Sequence, residues 1–236
     1  MTENDPHKRI NTSENVLTVL KMRIAVVILS LLSLGHCVPL DNCETLLKPI
    51  PVSHDEMLAK WLYIGGTSDL PGSRSLAHLL TSVWIEARPT SQSNILELIQ
   101  TQKTYGHCST LKYNVTFENI LTIENPFYLK EVYLPTDECS DCLAIYETVT
   151  SGDDTFKSLL LFSKSTTVSP AAVEMVKKQA DCLKMPSLLM VNPNEEMCHE
   201  DPSPIEGLLA LNKYLEAKTG HYVAKVLDSI FDLFIN

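Results

Sequence analysis

The chain has 236 residues, 44% of them hydrophobic and 20% charged, with a mean hydropathy of +0.02. That is ordinary globular composition, with apolar mass for one sizeable core. Lys and Arg number 19 against 29 Asp and Glu, a net charge of −10 with the acids spread along the chain. Without clustered Lys and Arg there is no surface to displace phosphate counterions, so nucleic acid is excluded as a partner, and an anionic membrane is a poor primary one.

The chain opens on a polar stretch. Lys21 and Arg23 then precede the apolar run Ile24 to Leu34, followed by Gly35, His36, Cys37, Val38 and Pro39. A short basic region, an 11-residue apolar stretch and a small-residue exit form the layout of a secretory signal peptide. The run is too short to span a bilayer. Residues 1–37 are therefore set aside from the fold as an N-terminal extension and signal peptide, with Met22 as an alternative start. The mature chain then carries a net charge of −11 and six cysteines: Cys43, Cys108, Cys139, Cys142, Cys182 and Cys198. An even cysteine count in an exported chain predicts disulfides rather than metal ligands, though six cysteines allow 15 pairings. Asn114-Val115-Thr116 is a glycosylation acceptor.

From Lys60 to Lys164, runs rich in β-branched and aromatic residues are broken by Pro, Gly, Asn and Asp about every ten residues. Strands are predicted at 61–68, 79–88, 94–104, 108–118, 120–124, 128–134, 142–149 and 155–163. Eight is the number that closes a small antiparallel barrel. In 111–118, Leu111, Tyr113, Val115 and Phe117 alternate with Lys112, Asn114, Thr116 and Glu118, which puts Asn114 on the wet face. In 83–88, Val83, Ile85 and Ala87 oppose Trp84, Glu86 and Arg88, with Trp84 breaking the pattern. Leu98, Gln100, Gln102 and Thr104 line either a polar interior or a solvated face.

The last strand, Ser158 to Phe162, is apolar on both sides, so something must cover its outer face. A helix capped by Ser169 with Pro170 in its first turn follows, and Val173, Val176, Ala180 and Leu183 make its apolar stripe. Glu174 and Lys178 are placed to pair at i,i+4. Pro186 ends that segment, and 188–191 has room for one more short strand. Residues 200–204 read as a linker between a domain at 38–204 and an amphipathic tail helix at 205–236, interrupted by Gly220. The tail either packs on the barrel or binds a lipid or protein partner.

Ala59-Lys60-Trp61-Leu62-Tyr63-Ile64-Gly65 resembles the G-x-W signature that opens the first strand of lipocalins, with Ala59 for the glycine. Thr136-Asp137 falls where the family has T-D-Y, and Phe162-Ser163-Lys164-Ser165 resembles its third motif, with Lys164 for arginine. Asp181-Cys182-Leu183-Lys184-Met185-Pro186 followed by Cys198-His199-Glu200 resembles the closing segment of the orosomucoid (alpha-1 acid glycoprotein) and apolipoprotein M branch. Gln100-Thr101-Gln102 with Cys108 resembles an orosomucoid strand region. The chain is also similar to the fish saxitoxin-, tetrodotoxin- and tributyltin-binding proteins of that branch. The resemblance covers roughly residues 43–200.

It implies an all-β, eight-stranded, up-and-down lipocalin barrel with one C-terminal helix packed outside. It further implies the disulfides Cys43–Cys182 and Cys108–Cys198, leaving Cys139 and Cys142 to each other. Trp61 would be structural, plugging the closed end beside the Lys164 cation. The expected calyx wall is Tyr63, Val83, Ile85, Tyr113, Val115, Phe117, Tyr133, Tyr146, Leu160 and Phe162, with Glu86 and Glu147 the acidic groups nearest the interior. The implied function is a secreted extracellular carrier, without cofactor or catalytic residues, of a small hydrophobic or amphipathic molecule (a lipid, steroid, drug or toxin, cationic amphiphiles included). The alternative is a protein acting through its surface and tail, either on a lipoprotein particle or membrane or as an immune modulator. Cys139-Ser140-Asp141-Cys142 reads as a structural bridge, since a strand-like run and not a helix follows it. No two histidines have metal-ligand spacing.

Overall fold

The computed structural model describes residues 43–104, 106–136, 139–192, 195–199 and 207–234. The expected signal peptide at 1–37 and the linker at 200–204 lie outside the described residues. Eight strands form the body: β1 (Lys60–Ser68), β2 (Leu80–Pro89), β3 (Ile95–Thr104), β4 (His107–Phe117), β5 (Leu121–Ile123), β6 (Tyr128–Leu134), β7 (Cys142–Ser151) and β8 (Asp154–Ser163). Each pairs antiparallel with the next, β8 returns to β1, and β1 closes on β2 through Lys60, Trp61 and Leu62 opposite Glu86, Ile85 and Trp84. The expected eight-stranded up-and-down barrel is thus the observed one. Closure uses up the strand edges, and side-chain alternation then sorts every residue inward or outward.

Closure on β2 is confined to the base end of the barrel. Beyond Leu62 the register of β1 against β8 shifts between Tyr63 and Gly65, and a short β9 (Leu189–Met190) takes the other edge of β1 at Gly65 and Gly66. A Cβ on Gly65 would stand 2.6 Å from the Leu189 carbonyl oxygen, so only glycine admits β9 this closely.

Two apolar clusters hold the fold. One fills the base, where Val52, Met57, Trp61, Phe117, Leu121, Phe127 and Tyr133 are buried together. The other lies outside the barrel: Ile64, Leu134, Ala144, Leu159 and Leu161 are covered by Val176 and Ala180 of α4 (Pro170–Cys182). This explains the two-sided apolar run of β8. Ser169 caps α4 by accepting a hydrogen bond from the Ala172 amide at 3.1 Å. Glu174 of that helix pairs with Lys177 at 2.5 Å, not with Lys178 as expected; the i+3 and i+4 positions are both neighbours of Glu174 on the helix face. Buried Gln179 donates to the carbonyls of Leu46 and Pro135, tying α1 (Cys43–Leu46) to the end of β6.

The disulfides are Cys43–Cys182, Cys108–Cys198 and Cys139–Cys142. The first spans 139 residues of sequence and staples α1 to the end of α4; a loop of that length is worth up to about 5 kcal/mol in the chain-entropy model. The second holds the 195–198 segment over β2, where Trp84 donates from Nε1 to the Cys198 carbonyl at 2.8 Å and Lys60 sits 3.8 Å over its ring. Trp84 breaks the sequence alternation because this strap buries it on the outer wall.

Helices missed in the sequence are α1, α2 (His54–Met57) and α3 (Ser73–Leu79), the last within the β1–β2 connection at the mouth. The tail is two helices, α5 (Gly207–Glu216) and α6 (Lys218–Phe234), breaking at Ala217 and not at Gly220.

The division between outer core and inner wall predicts unequal truncation costs. Leu161→Ala, at a fully buried outer position, is expected to lower stability by about 3–5 kcal/mol in urea unfolding, and Ile85→Ala, on the inner wall, by less than about 2.

Candidate binding cavity

Above the packed base the inward side chains stop short of meeting. They leave a cavity of about 470 Å³ floored by Met57 and Trp61 and walled by Val83, Ile85, Leu98, Leu129, Ile145, Leu160 and Phe162. Trp61 is held by donation from its Nε1 to the Met57 carbonyl at 3.3 Å, with the Lys164 ammonium 4.7 Å over its ring.

The wall also carries polar groups: Gln100 and Gln102 from β3, Tyr63 from β1, Tyr113 from β4, Glu131 from β6 and Glu147 from β7. Leu98, Gln100 and Gln102 thereby take the interior alternative. Glu131 and Glu147 are directly opposite each other across the β6–β7 ladder. Opposed residues on one face keep their Cβ atoms roughly 5 Å apart. Neither carboxylate has a hydrogen-bonding or cationic partner among the described residues. Burial holds both well above the ordinary glutamate range, and for Glu131 the neighbouring Glu147 charge adds to the effect. Burial also raises the phenols of Tyr63 and Tyr113, with Glu147 acting on both and Glu131 on Tyr113.

The tail helices roof the mouth. Leu208 and Leu211 of α5 border the cavity, and a second space of about 650 Å³ between the mouth, α3 and the tail shares Tyr63, Gln100, Glu147 and Leu160 with the first. Asp228 of α6 fastens the roof by accepting from the amides of Gly72 and Ser75 and from the Ser75 hydroxyl, all within 2.9 Å. Arg74 donates to both oxygens of Asp232, and the Tyr214 hydroxyl donates to the Pro71 carbonyl. Gly72 has φ +85°, and a Cβ there would come within 2.9 Å of the Tyr214 oxygen, so the roof rests directly on a glycine turn.

Of the ten residues expected on the wall, Tyr63, Val83, Ile85, Tyr113, Leu160 and Phe162 border the cavity. Val115, Phe117 and Tyr133 face inward but are consumed in packing the base. Tyr146 is a correction: it lies between inward Ile145 and Glu147 on β7 and packs with the outer cluster instead. Glu86 is another, since it alternates with inward Ile85 and Ala87 and accepts a hydrogen bond from Arg88 at 2.9 Å on the outer wall. Sequence reading missed Glu131, although a charged residue at period two from Leu129 and Tyr133 was a signal. Asn114 is exposed on the outer face of β4. Among the described residues no His, Cys, Asp or Glu cluster could hold a metal ion.

No family model matches the chain, and no curated protein sequence does. Solved structures of lipocalins do match its fold. The siderocalin Ex-FABP, described as functioning through dual ligand specificities, aligns with a TM-score of 0.53 at 18% identity, over 64% of this chain and 98% of its own. Siderocalin Q83, described as having a dual ligand binding mode, aligns at 0.51 and 17%, over 62% and 95%. Lipocalin 12 from rat epididymis aligns at 0.53 and 14%, over 66% and 92%. At these identities the likeness is one of fold.

Removing the fastener is a test of the roof. Asp228→Ala strips three donors of one charged acceptor, and hydrogen exchange of the α3 and α6 amides is expected to speed up by about 10–100-fold while β7 and β8 amides are unchanged.

Proposed function

We propose that the protein is a secreted carrier that holds one small lipophilic or amphipathic molecule inside its barrel. The observation that carries this reading is the roofed cavity of about 470 Å³, large enough for a small molecule and bounded by apolar walls with a few inward polar groups. Apolar ligand surface buried there contributes about 25 cal/mol per Å², and the preformed walls spare the ordering cost of binding. Glu131 and Glu147 are the charged side chains among the described lining residues, so a cationic head is favoured among amphipathic ligands. Three disulfides, the signal-peptide layout at 1–37 and the exposed acceptor Asn114 support an extracellular, glycosylated setting. The lipocalin neighbours, two of them described by how they bind ligands, support the carrier reading by analogy of fold.

Titration with a lipophilic fluorescent probe is expected to give saturable 1:1 enhancement, reversed by a competing ligand. Leu160→Trp, which puts an indole into the cavity, is expected to weaken it at least tenfold with the melting temperature little changed. Absence of saturable enhancement in the unaltered protein overturns the reading.

One observation favours a second reading, in which the tail attaches the protein to a lipid surface or lipoprotein particle. Helix α6 turns Asp228 and Asp232 toward the barrel and leaves Tyr222, Val223, Val226, Ile230 and Leu233 exposed, Tyr222 at 74% and Leu233 at 76%. An amphipathic helix with its apolar stripe outward and Lys218 and Lys225 beside it suits an interfacial position. No described helix is long and apolar enough to cross a membrane. Flotation with phosphatidylcholine vesicles is expected for the unaltered chain and lost in Val226→Glu/Ile230→Glu; failure of the unaltered chain to float removes this reading.

A further inference from the structure

Two glutamates directly opposed inside an apolar chamber are an unusual arrangement. Like charges opposite each other on one sheet face destabilise it, and burial away from water makes each charge costlier. Satisfied structural acids are handled differently in this same chain: Asp232 meets Arg74, Glu86 meets Arg88, and Asp228 receives three donors. Glu131 and Glu147 receive none among the described residues, and both open onto the cavity.

From this geometry we infer that Glu131 and Glu147 form a single monovalent exchange site, which holds one proton when the barrel has no cation and releases it to solvent when an alkylammonium head enters. The inference rests on the carrier reading and adds how the site is loaded and unloaded. Charge balance is its physical basis. A pair sharing one proton carries one negative charge; a fully ionised pair with a bound ammonium also carries one. The cation therefore replaces the proton without changing the charge buried in the barrel, which avoids the large cost of adding an unpaired charge to an apolar site.

The surroundings favour exchange of one proton. The ionisable groups facing the pair are Tyr63 from β1, Tyr113 from β4 and Tyr133 from β6, all phenols kept protonated by burial. Arg74 of α3 and Tyr214 of α5 border the outer space next to Glu147, but Arg74 is engaged by Asp232 and by the Ser187 carbonyl, and the Tyr214 hydroxyl by Pro71. Among the described residues no other group facing the pair is thus positioned to titrate near neutrality, and the two carboxylates titrate as a unit, above the usual glutamate range.

A cation that displaces a proton binds more weakly as pH falls, by about tenfold per pH unit while one proton is exchanged, or about 1.4 kcal/mol per unit. A neutral ligand of the same length has no such dependence. Such a carrier loads amines at neutral pH and releases them in acidic surroundings.

The test is calorimetric titration of the full chain with decylamine, which is charged throughout the range, and with 1-decanol, at pH 6, 7 and 8 in phosphate and in HEPES. Expected is release of about one proton per decylammonium at pH 7, a tenfold loss of its affinity from pH 7 to pH 6, and neither effect for decanol. Glu131→Gln/Glu147→Gln is expected to keep or improve decanol binding while losing at least tenfold in decylammonium affinity at pH 8 together with the pH slope. If decanol binds but decylammonium affinity is independent of pH, or the double variant keeps its slope, the exchange site is refuted and the carrier reading stands. If neither ligand binds, the carrier reading fails and the exchange site with it.

Discussion

Closure of the strands on themselves is the constraint from which the other features follow. Once β1 meets both β8 and β2, every strand residue faces either the interior or the outer wall, and the two sets have different work. Stability is concentrated at the base around Trp61 and Phe117 and on the outside, where Leu159 and Leu161 lie fully buried under α4. The middle of the barrel is left without enough side chain to fill it. A fold whose main cores lie below and outside its interior can leave that interior open at modest cost.

The polar equipment of the interior has the same origin. Position parity on β6 and β7 sends Glu131 and Glu147 inward along with Leu129 and Ile145, and the register sets them face to face. Their mutual repulsion is tolerable only while a proton or another cation stands between them. The roof over the mouth is fastened by the acids of α6, which reach down to α3, while Tyr222, Val223, Val226, Ile230 and Leu233 of the same helix stand exposed.

Much of this was legible in the sequence because a closed antiparallel barrel has a strong local signal. Runs of β-branched and aromatic residues between turn residues located all eight strands to within one or two residues, and Ser169-Pro170 marked the start of α4. The segment around Trp61 and the cation at Lys164, distant in sequence, lie together at the base, with the ammonium 4.7 Å over the ring. What could not be read depended on which parity of a strand faces inward and on cover from distant segments. Trp84 looks like an error of alternation until the 195–198 strap is in place. Tyr146 looks like a ligand contact until its neighbours Ile145 and Glu147 are assigned inward. Helix α3 is seven residues long and held by Asp228, more than 150 positions away in sequence, so no local pattern announces it. The orientation of α6 was equally hidden, since an apolar stripe in sequence does not say which way it faces.

Methyl NMR of the protein during titration with 1-decanol tests most directly whether the interior is an open chamber that receives a guest. Shifts saturating at one equivalent and confined to inward methyls such as Ile85, Leu98, Ile145 and Leu160, with Leu159, Leu161 and Val176 unmoved, are what the account predicts. Shifts confined to the outer methyls, or none anywhere up to saturation of the aqueous phase, would contradict it.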